Sequence, residues 1–133
     1  MSEYQEDPNR LDFQIRQAND LAHSGEIDAG IKLITEISEN SDLDAANHYD
    51  IGVVYAVVAK VMFEKGIEQS DSGKSANEYQ ENAMQRLQLA GEGGMFDKKL
   101  YLDYAATDRD LDSLEGVPEF IEFCEEYKIE RNE

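Results

Sequence analysis

The chain has 133 residues, 30 acidic against 12 basic, for a formal net charge of -18 and a sequence pI near 4.3. Neutralising phosphates requires clustered Lys and Arg, so this balance excludes DNA, RNA and anionic lipid surfaces as main partners. Leu, Ile, Val and Phe together make up under a quarter of the residues, which allows one domain with a thin core.

Proline occurs only at Pro8 and Pro118, so the long span between them meets no obligatory helix breaker. Glycines punctuate that span, and the segments between them have helical periodicity. Residues 11–24 carry Leu11, Ile15, Ala18, Leu21 and Ala22 on one stripe, and residues 26–40 carry Ile27, Ile31, Ile34 and Ile37 on another. Isoleucine alone suits a strand, but spacings of four, three and three put these four on one helix face, with Asp28, Lys32 and Glu36 opposite. Residues 43–65 form the third predicted helix, capped by Ser41 or Asp42. Its middle, Ile51 to Ala59, is apolar all round, which predicts the central helix of a bundle. A polar turn from Gly66 to Gly73 leads to a fourth helix over 74–90 with Tyr79, Ala83, Leu87 and Ala90 inward. A short helix with Phe96, Leu100, Leu102 and Tyr104 follows, then a turn, then a helix from Pro118 to Lys128 whose buried stripe is Phe120, Ile121, Cys124 and Tyr127. Residues 1–10 and 129–133 are expected to be flexible.

The start of the chain, with Glu3, Glu6 and Asp7 after Met1, has neither the basic opening nor the apolar run of a secretory signal. The most apolar stretch, Ile51 to Phe63, is interrupted by Lys60 and is too short to span a membrane. Cys124 is the only cysteine, so no intramolecular disulfide forms. A cytoplasmic protein is the expectation.

An internal period emerges when the first two hairpins are aligned: Ala18 and Leu21 recur as Gly52 and Tyr55. That offset is the length of a tetratricopeptide repeat. His48, Ile51, Gly52 and Tyr55 stand where that motif has a large residue, Leu-Gly and Tyr, while Gly30 with Ile34 and Ala83 with Leu87 match its second-helix pair of small and large residues. The chain resembles the tetratricopeptide family, and in particular the C-terminal tetratricopeptide extensions of some bacterial serine/threonine kinases. The latter resemblance rests on Tyr49 to Ala56, Ala90-Gly91, the Asp108 to Leu114 run and Pro118-Glu119-Phe120, and covers residues 11–128. It departs from the family at Gln14 and Gln17, at Asp42 and Met95, where Pro is usual, and in a second repeat that is too long between Gly52 and Ala83. No kinase signature accompanies it. The resemblance implies an all-α fold: repeat 1 over 11–42, an extended repeat 2 over 43–94, a short right-handed superhelix, and a C-terminal helical cap over 95–128.

Three motifs carry a sharper chemistry than their setting supports. Asp108, Asp110, Asp112 and Glu119 fall on positions of a calcium loop, but Ser113 stands where glycine is required; a capping turn is the preferred reading and calcium binding the minor alternative. Gly73-Lys74-Ser75 lacks the earlier glycine of a phosphate loop, and Ser75 suits a helix cap. His23, His48 and Cys124 have no ligand or nucleophile spacing. Tyr49, Tyr55, Tyr104, Phe120 and Phe123 are expected in the core. No catalytic residues, metal or cofactor are predicted.

The family resemblance implies that the inward face of each repeat's first helix lines a peptide groove. Here that face is Asp12, Ile15, Asn19, Ala22 and His23, then Ala46, Tyr49, Val53, Ala56 and Val57, with no Lys or Arg. The expected function is non-catalytic protein binding, as an adaptor or chaperone-like module for a basic or apolar peptide or helix. Two alternatives stand beside it: a homodimer or structural subunit that uses up the repeat surface in assembly, and a C-terminal helix that folds over the groove and fills it.

Overall fold

The computed structural model describes residues 10–40 and 42–131. They are all-helical, and no strand occurs among them. Six α-helices run in order: α1 (Leu11–His23), α2 (Ile27–Asn40), α3 (Ala45–Lys65), α4 (Ala76–Glu92), α5 (Lys99–Thr107) and α6 (Pro118–Tyr127). Two 3-10 turns, Met95–Asp97 and Arg109–Leu114, flank α5. Helix α1 packs on α2, α3 packs on α4, and α1 lies against α3.

Local chemistry sets the boundaries. Helix α3 starts later than the sequence suggested because Asp44, not Ser41 or Asp42, is capped reciprocally. Its carboxylate accepts the Asn47 N–H at 2.8 Å while Asn47 Oδ1 accepts the Asp44 N–H at 3.1 Å. Ser41 itself lies outside the described residues. Ser75 caps α4 in the same way with Glu78. Helix α3 ends at Gly66, whose φ of 68° lets the Ile67 N–H reach back to the Met62 carbonyl at 2.9 Å. Pro118 opens α6 in its first turn.

Close helix contacts depend on residues without bulk. A Cβ on Gly30 of α2 would sit 2.9 Å from the Ala18 carbonyl oxygen of α1, and a Cβ on Gly52 of α3 would sit 3.1 Å from that of Ala83 in α4. The two pairs thus cross at equivalent small residues. Between them α3 is buried along most of its length, from Tyr49 to Met62, as its apolar middle predicts. About 32 Å long by helical rise, it carries Asp50, Lys60, Glu64 and Lys65. Among the described residues no helix is long and apolar enough to cross a membrane. Arg86 of α4 ties three helices together, donating to Ser38 Oγ of α2 at 3.1 Å and lying 3.1 Å from His48 Nδ1 of α3.

The C-terminal third corrects three expectations. Phe96 belongs to a 3-10 turn, where its ring meets Tyr49, Phe123 and Tyr127 at centroid distances of 6.1, 5.6 and 5.5 Å. That aromatic cluster draws Phe123 inward and turns Ile121 outward, 48% exposed, and leaves Cys124 only partly covered. On α5, Leu100 and Tyr104 face out while Ala105 is buried and Tyr101, Leu102 and Ala106 pack partly against the core, away from the polar side of Lys99, Asp103 and Thr107. After α6 the described residues continue into a turn and a short tail that packs back on the helices. Lys128 adopts a φ of 60°, Ile129 is buried, and Arg131 folds back onto the turn before α6. Of the stretch 1–10 expected to be flexible, residues 1–9 lie outside the described residues, and Arg10 stands just before α1.

Candidate functional site

The face expected to form a groove is built by α1 and α3, and the chain itself closes much of it. The 3-10 turn Arg109–Leu114 packs along α3, with Leu111 and Leu114 fully buried. Polar bonds fix it at both ends. Tyr49 Oη donates to Asp108 Oδ2 at 2.7 Å, Ser113 Oγ donates to the Ala56 carbonyl at 2.8 Å, and Gln80 Nε2 donates to the Ser113 carbonyl at 2.7 Å. Behind the turn, Arg131 donates to the carbonyls of Ala105 and Asp108 and pairs with Asp112 and Glu115 at 2.8 and 2.9 Å. The cover is therefore this turn; α6, expected to fill that role, packs on α4, where a Cβ at Gly91 would collide with the Tyr127 ring.

Of the predicted groove residues, Ala22, Tyr49, Ala56 and Val57 are buried and unavailable to a ligand, Ala46 is exposed at the far end of α3, and His23 is spent in a contact of Nε2 with Asp110 at 3.0 Å. Asp12, Ile15, Asn19 and Val53 line an open cavity of about 240 Å3, in which Ile15 and Val53 are themselves only 2% and 7% exposed. The cavity takes its other walls from residues the sequence reading missed: Arg16 of α1, Asp50 of α3, Tyr104 of α5 and Asp110 of the turn. Asp50 sits one turn from Val53 on α3, directly before the apolar run that opens at Ile51; that position was its only signal. Asp110 gave none, since its approach to α1 depends on closure of the turn.

The electrostatics follow from crowding acids at half-buried positions. Burial, reinforced by the charges of Asp108, Asp44 and Asp12, pushes the Asp50 carboxyl from 3.8 up to about 6. Asp108 is also raised, chiefly by burial, although the Tyr49 hydroxyl and the Asp110 N–H oppose the shift. Tyr104 is raised by burial and then by Asp108, Asp50 and Asp110. Asp110 Oδ2 accepts from Asn19 Nδ2 at 3.3 Å, leaving Asn19 Oδ1 buried with no partner. The cavity thus combines an apolar floor of Ile15 and Val53 and the Arg16 wall with three carboxylates of different standing. Asp12 pairs with Arg10 at 2.6 Å, Asp110 contacts His23, and Asp50 alone is held up by burial and nearby acids, a charge that an added cation would stabilise.

The calcium-loop acids diverge. Asp108 serves Tyr49 and the Asp110 N–H, Asp110 serves α1, and Asp112 pairs with Arg109 and Arg131. Among the described residues no group of three or more His, Cys, Asp or Glu is placed to hold a metal ion. Comparison with protein-family models, with curated proteins and with solved structures finds no match to this chain in any of the three.

Proposed function

We propose that the chain is a tetratricopeptide-like, non-catalytic module that binds a protein partner by taking one Lys or Arg side chain into the cavity between α1 and α3. The observation that carries this reading is the cavity's composition: Asp12, Asp50 and Asp110 around Ile15 and Val53, three carboxylates against the single lining cation Arg16. An aliphatic stem can lie on the apolar floor while its cationic head meets the carboxylates. Leu100 and Tyr104, 71% and 56% exposed one turn apart on α5, add an apolar rim for the rest of the partner, and the net charge of -18 steers a basic partner toward the surface. The repeat reading is supported by the equivalent crossings of Ala18 with Gly30 and of Gly52 with Ala83.

The test compares three short peptides that differ at one residue, Lys, norleucine or Glu. The Lys peptide should bind, more tightly as pH rises through about 6 and Asp50 ionises, and Asp50→Asn should abolish that pH dependence. Equal binding of the norleucine peptide, or unchanged binding by Asp50→Asn, overturns the proposal. The same exposed pair, Leu100 and Tyr104, favours a second reading in which a copy of the chain covers this rim. Sedimentation at micromolar concentration decides it, since a strict monomer excludes that assembly.

A further inference from the structure

The outer face of α6 and the tail that turns back at Lys128 enclose a second groove of about 470 Å3. Its lining shares no residue with the cavity between α1 and α3. Phe120 and Ile129 form a buried floor, Ile121 stands 48% exposed on one wall, and the thiol of Cys124 is partly accessible between them. A groove of this size and apolar character is in the range that binding sites occupy.

The charges around it are one-sided. Glu125 and Glu130 border the groove and are exposed, and Glu122 lies beside Ile121 on α6. Arg131 does not balance them: its side chain is only 8% exposed, its two terminal nitrogens are held by Asp112, Glu115 and two backbone carbonyls, and its Nε is buried without a hydrogen-bond partner. Lys128 is the one lining cation left at the surface. A second copy of this chain would bring the acids of its own α6 against these acids, which like-charge repulsion disfavours.

We infer that this groove docks an amphipathic helix of a foreign partner, one that inserts a large apolar side chain over Phe120 and Ile121 and sets Lys or Arg residues beside Glu122, Glu125 and Glu130. This is helix-face recognition with charge complementarity at the rim. It stands on a surface separate from the proposed Lys/Arg cavity, so either site can fail without the other.

Cys124 supplies the readout, because it is the only cysteine and it lines the groove. The probe is a synthetic amphipathic helix of Leu and Lys, set against a scrambled peptide of the same composition, with the rate of Cys124 alkylation and the methyl signals of Ile121 and Ile129 followed at low salt. The amphipathic peptide should slow alkylation several-fold and shift both methyls, and the scrambled peptide should bind about tenfold more weakly. Ile121→Asn should weaken the ordered peptide about tenfold; Glu125→Lys, an exposed change that leaves packing alone, should weaken it as well. Asp50→Asn should leave the protection of Cys124 intact. Equal protection by the two peptides would mean charge attraction alone and overturns the inference, as would loss of protection in Asp50→Asn. Protection that grows with protein concentration in the absence of peptide would show a second copy in the groove and overturns it too.

Discussion

Replacing Asp50 by Asn removes the carboxylate most penalised by its surroundings and leaves a side chain of nearly the same size. The folded protein holds this group at about 6 against 3.8 unfolded, and at about 1.4 kcal/mol per pH unit the difference is about 3 kcal/mol. Water in the open cavity screens part of that, which brings the expected effect to about 2 kcal/mol. The sign follows from linkage. Below 3.8 both states are protonated and Asp50 costs nothing; between 3.8 and about 6 the unfolded chain gives up a proton that the folded one retains, so the folded state loses stability as pH rises; above about 6 the full penalty applies. Asp50→Asn should therefore be more stable than the parent by about 2 kcal/mol at pH 7, with the difference vanishing by about pH 3.5. Urea unfolding of both proteins across this range measures it, and the difference between them isolates Asp50 from the other carboxylates. A variant that is less stable at pH 7, or a difference that does not change with pH, would refute the account of a carboxyl held up by burial and by its neighbouring acids.

Three further outcomes are expected. Tyr49→Phe deletes the hydroxyl that donates to Asp108 at 2.7 Å and should cost about 1.5–3 kcal/mol at pH 7, with the loss shrinking at low pH as Asp108 protonates; urea midpoints at both pH values check this. Gly52→Ala gains about 1 kcal/mol of helix propensity but forces a Cβ to 3.1 Å from the Ala83 carbonyl and 3.3 Å from Leu87, so a net loss of about 1–2 kcal/mol should appear in the same assay. His48 is held below its ordinary value by burial and then by Arg86. Its contribution is present above about pH 6.5 and lost as pH falls toward the folded value, and His48→Asn, which keeps an acceptor for Arg86, should flatten that acid limb of the stability curve.

The sequence revealed those parts of the fold whose residues alternate clearly between faces. The isoleucines of α2 and the Tyr79, Ala83, Leu87 stripe of α4 have charged residues opposite them, so only one orientation buries the apolar side. The apolar middle of α3 allowed only the centre. Helix α5 offered a weaker contrast: Lys99, Asp103 and Thr107 mark one narrow polar side, but the apolar residues Leu100, Tyr101, Leu102, Tyr104, Ala105 and Ala106 span the rest of its circumference, and burial centred on Ala105 leaves Leu100 and Tyr104 outside. Likewise Ile121 and Phe123 of α6 compete for the interior, and the ring of Phe96 settles it. The turn at Lys128 was hidden for a local reason, since a left-handed φ of 60° is ordinarily announced by Gly or Asn. The cavity was least legible. Asp12, Asp50 and Asp110 come from three elements, and nothing in their spacing says that one closure event gathers them.

That closure links the fold to the proposed function. Two helical pairs expose an apolar face that a longer array would cover with another pair, and here Leu111 and Leu114 supply the cover. The cover is a short acidic turn, so it brings Asp108 and Asp110 toward carboxylates already present on α1 and α3. Burial of the two leucines, each worth about 1.5–3 kcal/mol, outweighs the penalty of about 2 kcal/mol at Asp50, which comes first from burial of its carboxyl and then from repulsion by nearby acids. What remains of that repulsion is stored beside an open cavity, where a cation is the species best able to release it. Neutralising Asp50 should then stabilise the free protein and weaken cation binding together. An Asp50→Asn variant that gained stability and still bound the Lys peptide as tightly would separate the two effects and break the link.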